Sequence, residues 1–202
     1  MKTSQLAALL GAALLVAACD RDAAIVLQPP TVDQLQQSYW PLAEFSLTER
    51  SGQSVALADL KGKVWVADFF YSACPGPCPM LSSRLSELQK VLGNDDRIRF
   101  VSISTDPGRD TPEVLRQYAA KLQATDRWLF LTGSQEAIRS LAFENFKLPF
   151  SEDPGAPEPI IHSTRLILID QTGKIRGLYD GLGAAEPVHL IRDIRRLVDS
   201  KP

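Results

Sequence analysis

From Lys63 to Tyr71 the chain reads KVWVADFFY, a nearly unbroken apolar and aromatic run. That pattern predicts a strand buried on both faces. Just upstream, AEFSLTERSGQSVAL alternates apolar and polar residues on either side of RSGQ, which predicts a hairpin. After Pro79 the period lengthens. Leu81, Leu85, Leu88 and Leu92 fall on one helical face, and Gly93 is placed to stop that helix. IRFVSIS predicts the next strand. Thr111 with Pro112 behind it supplies an N-cap and a first-turn proline for a helix running to about Leu122. WLFLTG predicts a third strand, and Ser134 opens a helix carrying Ile138, Leu141 and Phe146. The Pro-rich stretch LPFSEDPGAPEPII has no apolar period and reads as a loop. TRLILIDQTGKIRGLYDG predicts a second hairpin turning at Asp170 to Gly173, and Pro187 starts a last amphipathic helix with Leu190, Ile194 and Leu197. Strand, helix, strand, helix, strand, then a hairpin and a helix, is an α/β order whose later strands turn antiparallel.

The N-terminus carries a different pattern. Lys2 is followed by LAALLGAALLVAA, an apolar run ending at Cys19. It is too short to cross a bilayer comfortably as a permanent helix and has the length of a signal-peptide core. LVAAC resembles a bacterial lipobox, in which the Cys is lipidated and becomes the first residue of the mature chain. Asp20 resembles the signal that retains such lipoproteins at the inner membrane. The expectation is a signal peptide over residues 1–18, lipid on Cys19, a polar Pro-containing tether over 19–41, and one domain over 42–200. Acyl chains on Cys19 would hold the protein at the periplasmic face of a bacterial inner membrane. The length of 202 residues fits a single mature domain, and a net charge of −2 gives no sign of nucleic-acid binding.

With Cys19 used for lipid, the other two of the three cysteines remain, Cys74 and Cys78 in SACPGPCPM. A purely structural bridge there is the weaker reading. A loop this short removes little chain entropy, and a chain of this size can build a core without it. A loop running into a helix N-terminus is where thiolates are stabilised. Residues four apart lie on one face, separated by roughly 6 Å along the axis. This spacing permits a disulfide if the turn adapts, and it also leaves room for an ion. Pro75 and Pro77 stiffen the turn and supply no competing ligand. Two soft thiolates select Cu(I) or Zn²⁺ over hard ions. A Cys pair between the first long strand and its helix is the thioredoxin-like arrangement: an α/β fold with a central mixed sheet, flanking helices and an N-terminal hairpin. The chain has two histidines to offer as a further ligand. His189 lies in EPVHLIRDI on the final helix and reads as a solvated or half-buried helical residue. His162 stands in IIHSTRLILID, and in thioredoxin-like folds the segment before that strand packs beside the active-site turn. Met80 is the only methionine left after signal removal, which excludes a Met-rich copper carrier.

Together DFFYSACPGPCP, STDPGRDTP and IIHSTRLILID resemble the Sco/SenC family of copper-binding thioredoxin-like proteins, over about Pro41 to Asp199. The resemblance implies copper ligation by Cys74, Cys78 and His162. It also implies a metallochaperone that assists the binuclear copper centre (CuA) of cytochrome c oxidase, with subunit II or another copper-receiving protein as partner. The family's Asp-Pro-x-Arg-Asp-Thr-Pro segment carries over as Asp106, Pro107, Arg109, Asp110, Thr111 and Pro112, and is expected to shape the rim of the site. The rival is an enzyme: a tethered thiol–disulfide oxidoreductase cycling Cys74 and Cys78, fed by a periplasmic thiol reductant, and reducing the cysteines of a copper-site partner. Dithiol exchange does not need His162, whereas a three-ligand copper site does. The chain departs from the family at Ile161, where many members have Asp, and at Gly76, where they carry an acidic or polar residue.

Overall fold

The computed structural model describes residues 39–148, 150–152 and 160–200. The expected signal peptide, Cys19 and the tether up to residue 38 lie outside the described residues. A seven-stranded sheet is ordered β2-β1-β5-β4-β3-β8-β9. Its centre is three parallel strands: β3 (Val64–Phe70), β4 (Ile98–Ser104) and β5 (Trp128–Thr132). The hairpin of β1 (Ser46–Glu49) and β2 (Ser54–Ala56) adds antiparallel on the β5 side. The hairpin of β8 (Arg165–Ile169) and β9 (Ile175–Asp180) adds antiparallel beside β3. This is the expected mixed sheet. Every residue of β3 is buried, as its continuous apolar run requires.

The period-2 alternation of the strands sorts the core into two layers. On one face Val64, Val66 and Phe70 pack with Phe100, Trp128 and Phe130 under three helices: α2 (Cys78–Val91), α3 (Pro112–Lys121) and α5 (Glu186–Asp199). On the other face Trp65, Ala67, Phe69, Val101 and Ile103 pack against α1 (Leu57–Leu60) and α4 (Gln135–Ser140) with its continuation. Local signals behave as read. Thr111 Oγ1 accepts from Val114 N at the head of α3, Ser134 Oγ accepts from Ala137 N at the head of α4, and Gly93 closes α2 at φ +61°.

Three features depart from the sequence reading. The helix opened by Ser134 does not run on as α-helix: Leu141–Asn145 form a π turn. That turn aims Asn145 at the start of the domain. Its Oδ1 accepts from Ala43 N and its carbonyl accepts from Trp40 Nε1, each at 2.5 Å. Tyr39, Trp40 and Pro41, read as tether, are paired along the β8–β9 turn. Tyr39 N donates to Ile175 O at 2.9 Å, Ile175 N donates to Trp40 O at 3.1 Å, and Pro41 bridges Lys174. The Pro-rich stretch carries a two-stranded ribbon of β6 (Phe150–Glu152) and β7 (Ile160–His162), too short for a period to show.

Candidate metal centre

Cys74 and Cys78 are both thiols, at the C-terminal end of β3 where parallel sheets open. Cys74 is half-buried and Cys78 fully buried, within the layer under α2 and α3. The Tyr71 backbone holds both. Its carbonyl accepts from Cys74 N at 3.2 Å, and its amide hydrogen-bonds the Cys78 sulfur. The two thiols hydrogen-bond each other. Cys78 is the first residue of α2, and Pro77, just before it, accepts from Met80 N and Leu81 N at 3.1 Å. Pro79 has no N–H to satisfy, so the first turn closes on few donors.

The Asp-Pro-x-Arg-Asp-Thr-Pro segment does more than cap α3. Asp110, fully buried, accepts from Ser72 N at 3.0 Å, from the Ser72 hydroxyl, and from Ser104 Oγ at 2.6 Å. It therefore ties the β3–α2 loop, two residues before Cys74, to the end of β4. Thr105 adds a second tie, its N and Oγ1 both donating to Phe70 O. Arg109 pairs with Asp106 on the surface at 3.4 Å. Sequence reasoning placed this segment at the rim; the carboxylate that organises the loop is Asp110.

A second buried carboxyl lies beneath the cysteines. Asp68 interrupts the apolar run of β3, and strand alternation puts it on the same face as Val66 and Phe70. Its Oδ1 accepts from Ser102 Oγ at 2.5 Å, and Ser102 Oγ accepts from Trp128 Nε1 at 2.9 Å. Oδ2 has no hydrogen-bond partner among the described residues. Burial pushes the Asp68 carboxyl up to about 7, against the opposing pull of the Ser102 bond. Burial, and then the hydrogen bond with Cys74, push the Cys78 thiol well above the ordinary cysteine range, and the Asp68 charge adds to this. Tyr118, whose hydroxyl shares a 2.9 Å hydrogen bond with Ser82, is pushed up to about 12 by burial, with Asp68 and the thiols contributing. The pair thus sits over a low-dielectric pocket that disfavours negative charge unless a cation arrives to balance it. The lone Asp in VWVADFF was the sequence signal for this pocket, and the hydropathy pattern alone left it unread.

His162 ends β7, with its backbone opposite Phe150 in the ribbon. The chain then runs through buried Ser163 to Thr164, whose carbonyl accepts from Gly181 N at 3.1 Å. Gly181 in turn lies against Leu81 in the first turn of α2: a Cβ there would fall 2.2 Å from Leu81 Cδ2. The segment carrying His162 therefore meets the helix that Cys78 begins. His189 is half-buried on α5, as expected of a helical His. Among the described residues, no three His, Cys, Asp or Glu are gathered as a metal cluster.

The SCO1/SenC family profile matches residues 34–199. The crystal structure of a SCO1/SenC family lipoprotein from Bacillus anthracis is 36% identical and superposes with TM-score 0.73, over 79% of this chain and 96% of that one. A structure of BsSco, described with a disulfide switch and as a member of the Sco family of cytochrome c oxidase assembly proteins, is 32% identical with TM-score 0.72, over 82% and 98%. ScoI of Bradyrhizobium japonicum with copper bound is 25% identical with TM-score 0.68, over 78% and 99%. The thioredoxin-like fold, the cysteine pair at its strand-to-helix turn and these matches agree: the chain belongs to the SCO1/SenC family of copper-handling proteins.

Proposed function

We propose that this protein is a copper metallochaperone held at the periplasmic face of a bacterial inner membrane by lipid on Cys19. It binds copper through Cys74, Cys78 and His162, and passes it toward the CuA centre of cytochrome c oxidase by ligand exchange. The observation that carries this reading is the pair of mutually hydrogen-bonded thiols at the head of α2, one buried and one half-buried. Two thiolates suit Cu(I), and an added imidazole accommodates Cu(II) as well. Burial holds the Cys78 proton in the metal-free state, so copper must displace it, and loading releases protons. The copper-bound relative and the relative described as an oxidase assembly protein support the cargo and the destination.

The test is copper stoichiometry and absorption spectra of the reduced protein. One copper per chain is expected, lost in Cys74→Ser and in Cys78→Ser, and weakened with an altered Cu(II) spectrum in His162→Ala. Unchanged stoichiometry in both cysteine variants defeats the reading. For the anchor, Cys19→Ala is expected to leave the domain folded and release it from membranes.

A second reading has its own support. Thiols close enough to hydrogen-bond are placed to form a disulfide after a modest adjustment, and a relative is described with a disulfide switch. A dithiol reductase acting on a partner's copper-site cysteines would keep its activity in His162→Ala, whereas copper binding would not be left intact.

A further inference from the structure

Tyr118 of α3 touches both walls of the turn that carries the cysteines. On the strand side its ring stacks on Phe70, the last residue of β3, with centroids 5.2 Å apart and planes 26° from parallel. On the helix side its hydroxyl shares a 2.9 Å hydrogen bond with Ser82 Oγ. Phe130 meets the same ring edge-on at 6.1 Å, so the phenol has little freedom to turn. Ser82 is buried and stands four positions after Cys78, on the same face of α2. One side chain therefore bridges the end of β3 and the start of α2, with Cys74 and Cys78 on the chain between them.

The two walls are held differently. Phe70 O accepts from Thr105 N and Oγ1, and Asp110 pins Ser72, so the Cys74 side of the turn is tied to the end of β4 twice over. The Cys78 side rests on less: α2 starts without a side-chain cap, and Pro79 offers no N–H. Farther along the Ser82 face, Ser86 Oγ donates to Leu122 O at 3.2 Å, and Gln89 Nε2 donates to Gln123 O at 3.1 Å. These two bonds dock the middle and the end of α2 on the α3 side whatever becomes of Ser82. The Tyr118–Ser82 bond acts nearest the head of the helix, where Cys78 stands.

That position matters because the cysteine pair has two competing fates. The thiols hydrogen-bond each other in the reduced protein. Closing a disulfide draws the sulfurs to about 2 Å, whereas an ion bound by both needs a gap for itself. With the Cys74 side tied to the sheet, the adjustment that closes the bond falls to the head of α2. A brace on that head opposes closure and preserves the gap.

We propose that Tyr118 is a positioning residue: through Ser82 it holds the head of α2 at a spacing of the two sulfurs that suits an ion and disfavours the disulfide. Its aromatic face takes the strand end as the reference, and its hydroxyl sets the helix against it. The copper part of the proposal rests on the ligand reading given above; the thiol part stands without it.

The test is the thiol–disulfide equilibrium of the metal-free full chain against dithiothreitol, read by mass spectrometry of the peptide carrying Cys74 and Cys78. Dithiothreitol gives two electrons and two protons to the Cys74–Cys78 disulfide and closes to its own cyclic disulfide. Tyr118→Phe keeps the ring and drops the hydroxyl, and is expected to favour the protein disulfide by roughly fivefold. Ser82→Ala is expected to do the same, and the double variant no more than either, because both remove one bond. Ser86→Ala is the control: it loosens α2 farther from the cysteines, and is expected to lower stability to urea without moving the equilibrium. With copper, Tyr118→Phe is expected to shift the thiolate-to-Cu(II) absorption band and to weaken binding by a similar factor. An unchanged equilibrium in Tyr118→Phe and Ser82→Ala overturns the proposal. An equal shift in Ser86→Ala overturns it too, since any loosening of the helix would then suffice, and so do additive shifts in the double variant. A wild-type chain that binds no copper defeats the ligand reading instead, and the thiol equilibrium then judges Tyr118 by itself.

Discussion

Asp110 accepts hydrogen bonds from both the backbone N and the hydroxyl of Ser72, thirty-eight positions earlier, and so holds the loop that presents Cys74. Ser104 Oγ completes the cluster. Asp110→Ala leaves three donors without their partner, the Ser104 hydroxyl fully buried and the two of Ser72 half-buried, and a cost of about 2–4 kcal/mol is expected. Ser72→Ala, which keeps the backbone bond, is expected to cost about 1 kcal/mol. Urea unfolding measures both. A ranking with Ser72→Ala the more damaging would contradict the role given to Asp110.

The two thiols differ in exposure. Cys74 is half-buried, while Cys78 is buried with its thiol pushed up. In the metal-free reduced protein near pH 8, alkylation of Cys74 is expected to run at least about tenfold faster than that of Cys78, because the thiolate is the nucleophile. Mass spectrometry of the singly modified chain reads the site directly. Equal rates would show that Cys78 is neither shielded nor held protonated.

Asp68 gives stability a pH dependence of unusual sign for a carboxylate. Its pKa is raised from 3.8 to about 7, so the folded state binds this proton more tightly than the unfolded chain. Its contribution is complete below about pH 4 and is lost as pH rises through about 7. The loss is on the order of a few kcal/mol. Asp68→Asn, which cannot ionise, is expected to flatten stability over this window and to exceed the wild type at pH 8. Parallel stability–pH curves for the two proteins would refute the assignment.

Gly181 is a steric gate between the His162 segment and α2. A Cβ would lie 2.2 Å from Leu81 Cδ2 and 2.6 Å from the Thr164 carbonyl, and the second of these is backbone. Gly181→Ala is expected to cost about 1–3 kcal/mol by overpacking and to weaken copper binding by displacing the first turn of α2. Thermal unfolding and copper titration follow the two effects. Wild-type values for both would show that the backbone yields there without consequence.

Much of this was legible in the chain because local signals agreed with the global fold. The run VWVADFF announced a central strand. Thr111–Pro112 and Gly93 fixed helix ends, and the cysteine pair marked the strand-to-helix turn. What stayed hidden depends on contacts distant in sequence. Nothing near Asp110 points to Ser72, and nothing near Asn145 points to Ala43. The π turn of Leu141–Asn145 keeps a helical hydrophobic pattern and changes only which residue faces inward. The β6–β7 ribbon has strands of three residues each, below the length at which alternation can be counted.

The clasp of Asn145 on Trp40 and Ala43 has a mechanical consequence. Any pull on the chain ahead of Tyr39 enters the domain through Tyr39–Leu42, which bond along Gly173–Ile175 as well as to Asn145. Those bonds share the load side by side, and it passes into β9, at the edge of the sheet, and the π turn. The Cys74 loop, at the far end of β3, lies off that line of force. Tension on the chain ahead of Tyr39 is therefore borne by the base of the domain while the geometry of the two sulfurs stays undisturbed.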